Sequence, residues 1–394
     1  MRLLFVTPVF PGQAYGRRPY NFIKVLAPKH SVDLICASAK PISQAEIQAI
    51  KDMGVRTVTI VSHPIWKGAL SALGALPRRH PLRAGYCESG SMSRAVADFL
   101  EHHQVDLMHI DRSRMARLAT LRPRNTKCVV DFTDAMTLLF ERKIQYTRNP
   151  LSRAICLWER QTQPRFEQQI APTFDGCLLC SPVDAKVVEK TVPPEKIHLI
   201  PNMVDTDEFT VKRHDGSPRL VFTGTWTYFP NTDSLAWFTE TILPRIRNVF
   251  PSLETQVIGA RPGKSVLRLN GRNGIQVIGA VERMADHLFA DDVFVCPLRV
   301  GAGVRNKILE AMACGMAVVS TTLGAEGIPV EDGLDIMLAD DPQAFAEKIV
   351  TLLKNQPMRM QLGAQARKTI IQHHSEATVA PQIENLYESI VASR

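Results

Sequence analysis

Two cations and a carboxylate stand close together in the stretch VGAGVRNKILEAMACG: Arg305, Lys307 and Glu310, directly after Gly301 and Gly303. A diphosphate needs cations at the mouth of a glycine loop, where missing side chains let it approach backbone N–H groups. Helix formers occupy 306–314, so the loop opens into a helix whose first N–H groups are unpaired and whose dipole is positive at that end. Lys307 and Glu310 are three residues apart and share one helix face. A carboxylate there can accept two hydroxyl donors at once, as a ribose presents them. The chemistry predicted is nucleotide binding: Arg305, Lys307 and the loop amides on phosphate, Glu310 on ribose. The alternative is an ordinary α/β turn with solvated charges.

Other residues with chemical potential are scattered along the chain. The strand at 3–7 feeds a loop carrying Gly12, Gly16, Arg17 and Arg18, and doubly wound domains bind ligands beyond such strand ends. Gly16 and its two arginines are therefore predicted to face a site. The strand at 128–132 ends in Asp131, Thr133 and Asp134; Asp134 reads as a site residue, with a cap on the next helix as the alternative. Asp205 and Asp207 form a DxD, but in a turn-rich linker, so they are not read as metal ligands. Cys177 and Cys180 lie in a predicted strand, where residues three apart point to opposite faces. With no second Cys/His pair at ligand spacing, no metal is expected, and the eight cysteines read as reduced, buried thiols.

The segment 63–83 places Trp66, Leu70, Leu73 and Leu76 at near-helical spacing, flanked by Lys67, Arg78, Arg79 and Arg83. That pattern predicts an interfacial helix touching an anionic membrane through Trp66, Arg78 and Arg79. Gly68 and Gly74 weaken it as a helix, and such a stripe can instead pack on its own core.

These residues need a frame of about two domains, because 394 residues exceed one ordinary core. The composition, 45% apolar and 22% charged, is that of a globular protein, with no apolar run near the ~20 residues of a membrane span. MRLLFVTPVFPG lacks a long apolar region and a cleavage site and reads as a first strand, so the expected location is the cytoplasm, with peripheral contact at the inner face of the cell membrane. Residues 1–200 carry a net +11 and the remainder −3, which suggests an anionic partner, a membrane surface or an acidic acceptor, with diffuse solubilising charge as the alternative. Nucleic acid is excluded, as the basic residues are not interleaved with exposed aromatics. Strands alternate with helices throughout, including a long helix at 232–250 bent by Pro244. The fold class is α/β: two Rossmann-like doubly wound parallel-sheet domains facing across a cleft. Residues 1–203 form the acceptor-side domain, 204–374 the donor domain, and 375–394 a helix returning to the first domain.

With these pieces placed, the chain resembles the GT-B glycosyltransferases of the retaining family 4 type, specifically the bacterial sugar transferases of cell-surface polysaccharide and exopolysaccharide systems. The resemblance rests on KIHLIPNMVDTDEF at the boundary, VFTGTWTYFPN opening the second domain, and GAGVRNKILEAMACGMAVVSTTLGAEGI. It implies sugar transfer from a nucleotide-diphosphate sugar to a hydroxyl of a glycan or lipid-linked acceptor, with retention and with no metal or other cofactor. Arg305 and Lys307 would bind the diphosphate, Glu310 the ribose and the backbone near Val281 the base. Gly301, Gly303, Gly224 and Thr225 would line the donor, and Gly16 would approach it from the first domain. Asn202 would be structural. Two departures stand out: Ala302 replaces the first glutamate of the family's E-x7-E pair, and TWTYFPN lacks the family's usual Arg and Lys. Phosphate neutralisation then falls on Arg305 and Lys307, and Asp134 is left to orient the acceptor hydroxyl. The alternative is a non-catalytic partner that binds nucleotide sugar or lipid.

Overall fold

Apolar runs without in/out alternation are the mark of strands covered on both faces, and they form two all-parallel sheets. The computed structural model describes residues 1–12 and 16–393; residues 13–15 of the predicted glycine loop and residue 394 of the predicted last helix lie outside the described residues. The first sheet contains β1 (Arg2–Thr7), β2 (Ser31–Ser38), β3 (Val55–Ser62), β4 (Leu107–Asp111), β5 (Lys127–Thr133), β6 (Gly176–Leu179) and β7 (Ile197–Leu199), in the order β3-β2-β1-β4-β5-β6-β7. The second contains β8 (Leu220–Thr223), β9 (Thr255–Ile258), β10 (Ile275–Gly279), β11 (Val293–Cys296), β12 (Ala317–Ser320) and β13 (Met337–Leu338), in the order β10-β9-β8-β11-β12-β13. In each sheet the winding reverses beside the first strand. Leu3 of β1 pairs with both Val32 of β2 and Leu107 of β4. Leu220 of β8 likewise pairs with Thr255 of β9 and Val293 of β11.

The chain divides into two compact units, Met1–Pro201 with Val379–Arg394, and Asn202–Thr378. Each has its own core: Leu4, Met108, Val130 and Phe166 are fully covered in the first, Phe222, Val257, Val293 and Phe345 in the second. The last helix, Glu376–Ala392, belongs to the first unit from Val379 onward. Its Tyr387 hydroxyl meets Nδ1 of His109 on β4 at 2.5 Å, and its Glu384 pairs with Lys29 at 2.6 Å.

Two predicted helices are rebuilt by tertiary contacts. The segment 63–83 is not one helix: Ile65–Leu73 and Leu82–Cys87 pack against each other across a turn holding Pro77 and Pro81. Gly68 is the contact point, since a Cβ there would stand 2.4 Å from the Tyr86 ring. The long helix begins earlier than predicted, at Phe229, and passes through a π-helical turn, Phe238–Ile242, before Leu243–Arg247. Pro244 brings no N–H for the carbonyl one turn back, and widening the turn relieves the clash of its ring.

Candidate functional site

Doubly wound sheets bind ligands where the winding reverses, outside the strands' carboxyl ends. In the second unit that point lies between β8 and β11, followed respectively by Gly224-Thr225 and by the loop 297–305. Lys307, in the first turn of the helix Asn306–Ala313, reaches across and donates to Oδ1 of Asn231 at 2.7 Å. Asn231 in turn donates through Nδ2 to the Thr225 carbonyl at 2.9 Å. Gly224 is what allows this convergence: a Cβ there would stand 2.7 Å from Asn231 Nδ2 and 3.3 Å from Lys307 Nζ. The loop after β9 adds a second close approach, because a Cβ on Gly259 would meet the Gly224 carbonyl at 1.8 Å.

Arg305 caps this helix in extended conformation and folds its guanidinium over the glycine loop, donating to the carbonyls of Ala302 and Gly303. Gly301 leaves the room, as a Cβ there would meet Arg305 Nη2 at 2.5 Å. Nη2 is buried and has no hydrogen-bond partner among the described residues. Among the described residues no carboxylate pairs with Arg305 or Lys307. Burial lowers Lys307 from its ordinary value, with the Cys296 thiol opposing and Arg305 reinforcing that shift. Two close cations without a counter-charge at a helix N-terminus make a site that gains from an anion. Glu310, one turn on, is buried on the same helix. Val281 lies just beyond β10 and is partly exposed. Asn202 holds the helix start, donating to Asn306 Oδ1 at 2.9 Å while its carbonyl accepts from His374 at 2.8 Å. Asp205 Oδ1 accepts from the backbone N–H groups of Asp207 and Glu208, the work of a turn residue.

The reversal point of the first unit, between β1 and β4, has a different character. Gly16 takes a left-handed φ of 65° to start the helix Arg17–Leu26, a conformation glycine adopts without steric cost. Arg18, predicted to face a site, is instead buried, donating to Asp131 at 2.6 Å and to the Ile200 carbonyl at 2.9 Å. An arginine inside a helix of an α/β layer can point to the core when a strand offers a carboxylate, and Asp131 on β5 is fully buried. Beside this pair the ends of β4 and β5 are strained: Arg112 has φ 76° and Thr133 φ 64°. For non-glycine residues this costs on the order of 1–3 kcal/mol each, a cost concentrated at functional sites. Asp134 follows, its Oδ2 at 3.5 Å from Arg112 Nη1 and its side chain 25% exposed. It does not cap the next helix; Ala135 stands at that position, and its N–H goes to Asp184 at 2.8 Å. Burial pushes the neighbouring Asp111 up to about 6, against the pull of Arg112. His109 is a core residue stacked on Phe5, and burial pushes it down to about 4.

Trp66 is 61% exposed on the helix Ile65–Leu73, together with Ile65, Leu70 and Leu73. Arg78 is tied to Glu88 at 2.7 Å, while Arg79 is exposed in a turn with φ 51°. Sequence reasoning missed Asn231 and Gly259. Their signals, an asparagine two residues into a helix and a glycine ending a strand, are common and acquire meaning only through the strands they bridge.

Residues 15–208 match the model of Glycosyltransferase Family 4, and residues 217–355 that of Glycosyl transferases group 1. A Phosphatidyl-myo-inositol mannosyltransferase of Mycobacterium tuberculosis is 28% identical over 209 residues, 49% of this chain and 54% of that one. An uncharacterized 44.6 kDa protein in the cps region of Klebsiella pneumoniae is 28% identical over 144 residues, 34% of this chain and 37% of that one. The chain thus spans about half or less of these curated relatives. Among solved structures, Anabaena Alr3699/HepE in complex with UDP superposes with TM-score 0.67 at 16% identity, covering 99% of this chain and all of that one. Sucrose-phosphate synthase from Thermosynechococcus elongatus gives 0.73 at 16% identity, with full coverage of both. Two glycosyltransferase family models, matched in turn along a chain that builds two doubly wound parallel sheets, establish that it belongs to the GT-B glycosyltransferases of the family 4 type.

Proposed function

We propose that this chain is a hexosyltransferase. It moves a sugar from a nucleoside-diphosphate sugar to a hydroxyl of a glycan or lipid-linked glycan, with retention and without a metal ion. The observation that carries the reading is Lys307 drawn against Asn231 beside Gly224, with the uncompensated Arg305 on the adjoining glycine loop. As the bond between anomeric carbon and phosphate breaks, negative charge grows on the leaving diphosphate. Lys307, Arg305 and the first N–H groups of the helix Asn306–Ala313 stabilise it there. The acceptor oxygen bonds to the anomeric carbon on the same face, and its proton passes to the departing phosphate oxygen. In the second unit Glu310 holds the ribose and Val281, Thr225, Gly301 and Gly303 line the donor; in the first, Asp134 orients the acceptor hydroxyl. The HepE complex with UDP supports a uridine nucleotide, and the mannosyltransferase relative supports a lipid-linked acceptor.

Titration calorimetry with UDP and GDP on wild type and Lys307→Ala tests this. One nucleotide should bind, about 10-fold more weakly to the variant, with kcat/KM down roughly 100-fold. Equal affinity in the variant, or no diphosphate bound at all, would sink the reading. Activity undiminished in EDTA is the expectation for metal independence. Contact with an anionic membrane rests on the exposed Trp66 stripe and Arg79. Wild type should sediment with phosphatidylglycerol vesicles and Trp66→Ala with Arg79→Ser should stay in solution; wild type left in the supernatant refutes it.

A further inference from the structure

Beyond the carboxyl ends of β1, β2 and β3 the first unit holds a cavity of about 280 Å³. Val9, Val61 and Met92 give it apolar walls, and His63, Tyr86 and Arg114 give it polar ones. A second hollow of about 270 Å³ shares Cys87, Ser89, Arg114 and Met115 with the first, so Arg114 stands at the junction of one groove. Among the described residues nothing hydrogen-bonds to Arg114 or forms an ion pair with it, and its Nε is buried without a partner. Asp111 senses the Arg114 charge without bonding to it. The nearby Glu88 is already taken, by Arg78 at 2.7 Å and Arg117 at 3.0 Å. The helix Gly90–His102 begins at the same place: its N-cap Ser89 and its first residue, Gly90, both line the second hollow. An unneutralised guanidinium beside the positive end of a thirteen-residue helix is an anion site.

We propose that this groove seats the acceptor, and that the acceptor is a phosphorylated polyol or sugar. Arg114 and the first turn of Gly90–His102 take its phosphate, and the ring or polyol lies in the cavity against His63. Each hollow is just below the roughly 300 Å³ at which ligand pockets begin, so the first accommodates one ring and the second its phosphate, not an oligosaccharide. The helix Leu82–Cys87 supplies Tyr86 and Cys87 to the groove and packs against the exposed apolar helix Ile65–Leu73, so a lipid-linked phosphate has an apolar surface beside it. The role as acceptor rests on the transferase reading; recognition of the phosphate does not.

Titration calorimetry with glucose 1-phosphate and glycerol 1-phosphate, without nucleotide, tests the site, with glucose and glycerol as neutral controls. A parallel arm uses phosphatidylcholine vesicles with and without phosphatidylglycerol. The phosphates should bind at least 10-fold more tightly than the neutral polyols. Arg114→Gln should lose that margin, Arg114→Lys should keep part of it, and Ala39→Trp, a ring placed at the cavity wall, should block both ligands. Binding confined to the phosphatidylglycerol vesicles and lost in Arg114→Gln identifies a lipid-linked source. The proposal is overturned if Arg114→Gln binds as wild type does, if neutral polyols bind equally well, or if neither arm shows Arg114-dependent binding. Phosphate binding by a wild type that binds no nucleotide would leave this site standing and remove the transferase reading.

Discussion

The two reversal points share a topology and differ in how charge is handled. In the second unit, Arg305 and Lys307 have no carboxylate partner among the described residues, and small residues leave them room to reach Asn231 and the glycine loop. In the first, Arg18 is neutralised by Asp131, Asp134 faces Arg112, and the strain lies in the backbone at Arg112 and Thr133. A cation left without a counter-ion is a reserve of binding energy for an anion, whereas an internally satisfied pair is structural. The comparison teaches that the same winding can leave cations without a counter-charge at the reversal point of one unit and tie them to carboxylates at that of the other.

The contrast can be broken by substitution. Asp131→Ala strands the buried Arg18 and should destabilise the first unit by about 3–5 kcal/mol in urea unfolding; a loss under 1 kcal/mol would mean that Arg18 is not the structural cation described. Gly224→Ala should leave the fold intact, because the new Cβ meets the ends of the Asn231 and Lys307 side chains rather than backbone, yet weaken UDP about 10-fold, near 1.4 kcal/mol, by pushing Asn231 off Lys307 and the Thr225 carbonyl. Unchanged affinity would remove Gly224 from the site.

Acid titration sharpens the comparison on the first unit. Asp111, raised from 3.8 to about 6, keeps its proton in the folded chain where the unfolded carboxylate has lost it, so its contribution to stability falls as pH rises through 6. His109, lowered from 6.5 to about 4, works the other way: the unfolded chain takes up a proton first, and stability falls as pH drops from 6.5 through 4. Between pH 4 and 6 the two slopes oppose each other. Asp111→Asn should therefore gain on wild type by up to about 1.4 kcal/mol per pH unit as pH rises across that range. A constant difference in unfolding free energy would show that Asp111 is not held protonated. The smallest effect belongs to Trp66→Ala, which should change stability by under about 0.5 kcal/mol because the ring is already exposed; a larger loss would mean that the stripe packs on its own core.

Much of the fold was legible because buried parallel strands write themselves as unbroken apolar runs, as in RLLFVT or the VFVC before the glycine loop. Arg305, Lys307 and Gly224 were legible for a similar reason, since glycine-rich turns and paired cations are local features. Asn231 was not, because its value comes from Lys307, 76 positions away, reaching it across the end of β8. Arg18 was misread because nothing near it in the chain announces Asp131, 113 positions on. Local pattern determined the two sheets, the glycine loop and the helix that opens from it, each written in contiguous residues. Tertiary structure decided which charges are spent inside the protein: Arg18 and Arg78 have carboxylates waiting, while among the described residues Arg305 and Arg114 do not. A charge's partner is chosen by where strands end in space, and separation along the chain carries no information about that.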